Sequence, residues 1–138
     1  MSSTPRGGLM TNGNTGVGSL RSVVLDCPEP RELAEFYVGL LGAELIEDAE
    51  DDWIVIADQE GRRLAFQTAP EYRPPRFPDP EASQQMHFDV LVDDIESAQA
   101  RVLQLGARLV QADTDDDFRV FADPVGHIFC LIWLKPQS

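Results

Sequence analysis

Few side chains in this sequence can do chemistry near neutral pH. The chain holds two histidines, His87 and His127, and two cysteines, Cys27 and Cys130. An imidazole titrates close to neutrality, so it can serve as acid, base or metal ligand. His87 stands in Met86-His87-Phe88-Asp89-Val90-Leu91-Val92, a run rich in β-branched and aromatic residues, without Gly or Pro, which predicts a buried strand over 86–92. Asp89 is two residues on and so shares a strand face with His87. In a cavity wall the two would contact a ligand or move a proton. In a packed core the ring would simply be hydrogen-bonded, and Asp89 would be a strand-edge carboxylate. Cys130 lies in the apolar run Ile128-Phe129-Cys130-Leu131-Ile132, where a cysteine packs as a small hydrophobe. No base or helix N-terminus is aimed at it, so no nucleophile is expected. His127 directly follows Gly126 and reads as an exposed turn residue. No catalytic residue is assigned from sequence.

The elements that must position these residues come in two sets. Ser22 to Cys27 reads as a strand, ended by Pro28 and Pro30. Pro30 suits the first turn of a helix. Leu33, Ala34, Phe36, Tyr37, Leu40 and Leu41 then recur at helical spacing up to Gly42. Glu44 to Ile46 is a short strand, Asp48 to Asp52 an acidic turn, and Trp53 to Ala57 a strand. Asp58 to Gly61 is a hairpin turn, and Arg63 to Thr68 its return strand. The order is β-α-β-β-β. It recurs as a strand over 86–92 and a helix from Ile95 to Leu105 capped by Asp93 or Asp94. A short strand at Arg108 to Val110, an acidic turn over 113–117, a strand Phe118 to Ala122, a turn Asp123 to Gly126 and a strand Ile128 to Leu134 complete it.

The two sets align residue by residue. Leu41-Gly42-Ala43 precedes Leu105-Gly106-Ala107 by 64 positions, and Ala57-Asp58 precedes Ala122-Asp123 by 65. A long period seen only twice marks a duplicated module and not a solenoid. One β-α-β-β-β unit is too small to bury its own sheet face, so two must pack together.

Residues 70–85 differ in kind. Five prolines (Pro70, Pro74, Pro75, Pro78 and Pro80) exclude a long regular element. The stretch reads as a connector between halves that, with its aromatics, also has the means to cover a pocket. Residues 1–19, rich in Gly, Ser, Thr and Asn, are expected to be a disordered tail and not a secretory signal. At 138 residues the rest is expected to be one domain, 20–136, with modules 20–69 and 86–136. The net charge of −13 disfavours nucleic acid and anionic membrane surfaces and keeps the surface solvated. No apolar run of about 18 residues marks a membrane span. With two cysteines and no disulfide framework, a reducing cytoplasm is expected.

With Glu35-Phe36-Tyr37, Leu40-Leu41-Gly42, His87, Val92-Asp93-Asp94, Leu105-Gly106-Ala107 and Asp123-Pro124-Val125-Gly126-His127 in this order, the chain resembles the vicinal oxygen chelate superfamily. That superfamily groups glyoxalase I, bleomycin-resistance proteins and extradiol dioxygenases. The resemblance runs from about Leu20 to Trp133. Asp26-Cys27-Pro28, Leu64-Ala65-Phe66-Gln67 and the strand after Gly126 resemble its glyoxalase-like domain branch. It implies an α+β fold in which two tandem βαβββ modules form a curled mixed sheet around a cavity, commonly as a homodimer. In metal-using members each module gives two ligands, one from its first strand and one from its last, typically two His and two Glu. Carried over by position, these fall on His87, on its counterpart Ser22 (or Val23 if the offset is 64), on Cys130 where a Glu is usual, and on Ala65. Gln67 is the substitute for Ala65 if the register is two residues out.

With so few conventional ligands, no metal site and no cofactor are expected, a divalent metal being the alternative. The favoured function is binding of a small molecule, cationic or aromatic, as in drug sequestration. His87, Gln67, Cys130, Ser22, Asp89 and Trp53 are the ligand-binding candidates, with Phe66, Phe88, Phe118 and Phe129 as further cavity wall. The alternatives are a metal-dependent lyase, isomerase or dioxygenase-like enzyme, and a regulatory or structural dimer.

Overall fold

A computed structural model describes residues 16–82, 85–112 and 117–134. The first module comprises β1 (Val23–Cys27), α1 (Pro30–Leu41), β2 (Glu44–Ala49), β3 (Trp53–Ala57) and β4 (Arg63–Thr68). The second comprises β5 (Phe88–Leu91), α2 (Ile95–Leu105), β6 (Arg108–Ala112), β7 (Phe118–Ala122) and β8 (Ile128–Ile132). Each module closes its own four-stranded sheet, in the orders β1-β4-β3-β2 and β5-β8-β7-β6. In each, the first strand runs parallel to the last and the other pairs are antiparallel. Both sheets carry a bulge at matching places, Leu45/Glu47 and Leu109/Gln111. The architecture is thus the expected α+β pair of tandem modules.

Local chemistry explains the elements. Pro30 sits in the first turn of α1, and Gly42 ends that helix in the left-handed region at φ 64°. The Asp94 carboxylate caps α2 by accepting from the Glu96 N–H. β2 runs to Ala49, longer than the pattern suggested. A tight turn, with Glu50 and Asp51 at positive φ, lets Asp48 and Ala49 pair with Ile54 and Trp53. The Asp48 and Asp51 carboxylates in this turn bind the Arg31 guanidinium. β5 is shorter than expected: Met86 and His87 precede it, and Val92 adds one hydrogen bond, to the Ile132 carbonyl. β8 stops at Ile132. Within the connector, Pro80–Ala82 makes a single 3-10 turn. Of the expected tail, residues 1–15 lie outside the described residues, as do 113–116 of the second acidic turn.

The core lies between the helices and the facing sides of both sheets. α1 supplies Leu33, Ala34, Phe36 and Tyr37, all buried, whereas α2 buries only Val102. Phe36 packs on Phe129, and Tyr37 on Phe66 and Phe88. Strand alternation therefore points Phe66, Phe88 and Phe129 at the helices. They form the core and not a cavity wall, which corrects that part of the sequence reading. Phe118 alone of the four faces away from the helices, packing with Val120 and Cys130.

One polar bond joins the halves inside this core. The Tyr37 hydroxyl donates to Asp123 Oδ2 at 2.6 Å. Asp123 is only 4% exposed, and its Oδ1 accepts from the backbone N–H groups of Val125 and His127. Burial raises this carboxyl above its usual value, opposed by the bonds it accepts. Tyr37→Phe leaves Oδ2 without that donor and should cost about 1–3 kcal/mol in urea unfolding, with far-UV dichroism unchanged. A loss below about 0.5 kcal/mol would show that the bond does not hold the modules together.

Candidate functional site

The side of each sheet turned away from the helices, the far face, carries the polar residues of interest. Strand register settles their correspondence. Val24 lies opposite Ala65, and Asp89 lies opposite Cys130. The 65-residue offset therefore holds, Ser22 matches His87, and Ala65 is the true counterpart of Cys130. Gln67 lies opposite Asp26 and matches Ile132, so the register is not two residues out.

In the first module, Arg63 Nε donates to the Ser22 hydroxyl at 3.3 Å. Gln67 Nε2 donates to Asp26 Oδ1 at 2.7 Å. Trp53, across from Gln67, donates through Nε1 to Glu47 Oε1 at 2.9 Å. Ala65 is fully buried and has no donor atom. In the second module, His87 Nε2 lies 3.2 Å from Asp89 Oδ1. Cys130 is buried beside them, and one ligand atom from each of the three residues falls within 4.8 Å of the others. Three of the six ligand-binding candidates, His87, Asp89 and Cys130, thus lie close together.

A divalent ion held across both modules would need donors from each. The first module offers Ala65, which has none, and Ser22, whose oxygen already accepts from a guanidinium that would repel a cation. The four positions implied by the resemblance therefore do not fit such an ion.

A well-defined hollow lies elsewhere. A cleft of about 970 Å3 runs between the β1 residues Val24 and Asp26 and the connector residues Tyr72, Arg73 and Pro74, with His127 also in its wall. The connector is pressed against the second module here. A Cβ on Gly126, at φ 101°, would come within 2.6 Å of Pro74 Cβ, so only glycine fits without a shift. Phe77 packs on the far-face cluster around Cys130. The connector is accordingly a wall and not a plain tether.

His127 was missed as a site residue. It is half-buried, its Nε2 donates to the Asp26 carbonyl at 2.8 Å, and its ring centroid lies 5.1 Å from that of Tyr72. The available signal was the aromatic content of the connector, which needs a partner ring. The Tyr72 hydroxyl is buried without a hydrogen-bond partner, and burial raises its pKa, helped by Asp123, Cys27 and Asp26.

Burial pushes both thiols up to about 11, with Asp123 and Asp26 adding to it at Cys27 and Asp89 at Cys130. The thiolate is the reactive form. At pH 8 the native protein should therefore react with iodoacetamide far more slowly than a free thiol, with both cysteines labelling rapidly in guanidinium. Fast native labelling of Cys130, read by peptide mass mapping, would refute this picture of its surroundings.

Several solved structures share the fold. A glyoxalase/bleomycin resistance protein/dioxygenase family enzyme from Burkholderia phytofirmans PsJN is 15% identical with a TM-score of 0.67, the match covering 86% of this chain and 100% of that one. A hypothetical protein from S. aureus is 15% identical with a TM-score of 0.66, covering 86% and 96%. A mutant of the fosfomycin resistance protein FosX from Listeria monocytogenes, complexed with Mn(II) and 1S,2S-dihydroxypropylphosphonic acid, is 13% identical with a TM-score of 0.64, covering 85% and 90%. At these identities the likeness is one of fold. No curated protein matches the chain in sequence. The model of a family described as a glyoxalase-like domain matches residues 22–132.

Proposed function

Because the chain belongs to the glyoxalase-like domain family, we propose that it uses this fold to bind a small molecule in the cleft between β1 and the connector, without an ion shared between its modules. The observation that carries this reading is the cleft itself, whose volume of about 970 Å3 lies at the upper end of the range for small-molecule sites. Its chemistry suits a cationic, flat ligand. The Asp26 carboxylate is oriented by Gln67, and Glu71 and Glu81 also line the cleft, with Arg73 and with Arg76, whose guanidinium is paired with Asp79. Val24, Met86 and the prolines supply apolar wall, and the Tyr72 and His127 rings a surface for stacking. Of the polar candidates, Trp53 stands across from Gln67 behind the Asp26 carboxylate, Ser22 lies at the other end of β1 beside Arg63, and His87, Asp89 and Cys130 belong to the second module. In this reading the chain works as a cytoplasmic homodimer that sequesters its ligand, the state the superfamily resemblance implies.

The second reading is a metal-dependent lyase, isomerase or dioxygenase-like enzyme, and the grouping of His87, Asp89 and Cys130 favours it. A thermal-shift screen of EDTA-treated protein against aromatic, cationic and glycopeptide natural products separates the two. Sequestration predicts a ligand that still raises Tm in EDTA and whose Kd weakens about tenfold or more in Asp26→Asn, a loss of about 1.4 kcal/mol. Ligands that act only after a metal is restored would refute it.

A further inference from the structure

Two arginines line the cleft, and only one of them is neutralised by the protein. Arg76 is held by the Asp79 carboxylate through Nε at 3.3 Å and Nη2 at 3.1 Å. Among the described residues, no hydrogen bond or ion pair engages the Arg73 side chain, and none joins it to Asp26, Glu71 or Glu81 in the same wall. We propose that the cleft takes a zwitterion, a flat aromatic ligand whose cationic end meets Asp26 and whose acid end, a carboxylate or a like oxyanion, is bound by Arg73. This rests on the cleft reading above and adds the acid end to it.

Arg73 is exposed, but it is not a loose surface tip. Tyr72, before it, sets its ring against that of His127 and its backbone N–H on the Ala69 carbonyl at 3.0 Å. Pro74, after it, is seated on Gly126. A residue that precedes proline is confined to extended backbone. The Arg73 backbone is therefore fixed from both sides, and only its side chain has to be ordered when an oxyanion binds. Its guanidinium keeps all its donors for a two-pronged contact with a carboxylate. Asp26 is fixed in turn by β1. Its Oδ1 accepts from Gln67 and its carbonyl accepts from the His127 ring, while Oδ2 has no partner among the described residues. From Asp26, the His127 ring, the Tyr72 ring and then Arg73 follow one another, so the two charged residues stand a ring pair apart and beyond ion-pair reach. A ligand with opposite charges at its two ends bridges them. The surrounding charge narrows the class further. Glu71 and Glu81 line the same hollow, and the chain carries −13 overall. A purely anionic ligand is repelled by these surroundings, so an acid is accepted only alongside a cation.

The test compares three probes built on one ring: para-aminomethylbenzoate, its amide para-aminomethylbenzamide, and para-toluate. Each is titrated calorimetrically into the full chain in EDTA. The zwitterionic benzoate should bind about fivefold or more tighter than the amide, and para-toluate should not bind. Arg73→Gln should remove the preference while leaving the Kd of the amide unchanged, and Arg73→Lys should keep part of it, because an ammonium supplies the charge without the fork. Asp26→Asn should weaken both amines. Equal affinity for benzoate and amide, a preference that survives Arg73→Gln, an equal loss for both amines in Arg73→Gln, or para-toluate binding as tightly as the zwitterion would overturn the proposal and leave the cleft reading standing. If neither amine binds, or if Asp26→Asn leaves both unchanged, the cleft reading falls and the proposal falls with it.

Discussion

The fold turns on a short hydrogen bond that water cannot reach. Tyr37 comes from the first helix and Asp123 from the last hairpin of the second module, so their bond ties the two halves at the centre of the core. Asp123 does more than accept it. Its other oxygen organises the turn that follows, and that turn delivers His127 to the Asp26 carbonyl and presents Gly126 to Pro74. An unpaired buried carboxylate would cost several kcal/mol, so the interface, the turn and the seat of the connector form one linked unit. In the first module, Asp58 makes the same turn bonds through Oδ1. Its side chain is partly exposed and meets Arg62 instead. One ancestral turn thus serves a surface hairpin in one copy and the core joint in the other.

Duplication also explains the division of labour between sheet faces. The helix-facing side must interlock with α1 and α2 and keeps Leu25, Phe66, Phe129 and Leu131 in the core. The far face carries no such obligation, and there the copies have diverged. Ala65 matches Cys130, Val24 matches Asp89, and Ser22 matches His87. The first module holds an apolar strip edged by an oriented carboxylate, and the second holds a concentrated group of nitrogen, oxygen and sulfur donors. A single backbone frame therefore presents two unlike surfaces.

Periodicity made most of the architecture legible. Alternation and helical spacing identified the ten long elements, because each buries one face and the burial is written in every second or every third to fourth residue. Spacing of Gly42 and Gly106, and of Asp58 and Asp123, exposed the repeat. The choice of sheet face was harder to read. Phe66, Phe88 and Phe129 looked like cavity lining because aromatic residues suit both a core and a pocket, and only strand parity relative to the helices decides between them. The 65-residue offset was readable, and it correctly paired Ser22 with His87 and Ala65 with Cys130. The cleft was not readable, since it is made by a connector without periodicity folding back on a strand and a turn far away in the chain. His127 became a cleft residue for the same reason.

The strand ladders have a kinetic meaning as well. Val24 pairs with Ala65 and Asp89 with Cys130, each across 41 positions, and neither sheet borrows a strand from the other half. Each ladder can close before the halves meet, which keeps loop-closure entropy low for a mixed sheet. What remains is a docking event carried by side chains, with the proline-rich stretch setting the effective concentration of one half near the other. The rate of that last step is governed by the length and stiffness of the connector, the same segment that walls the cleft. Lengthening it would slow assembly and loosen the ligand wall together, so the segment carries two roles that evolution cannot tune separately.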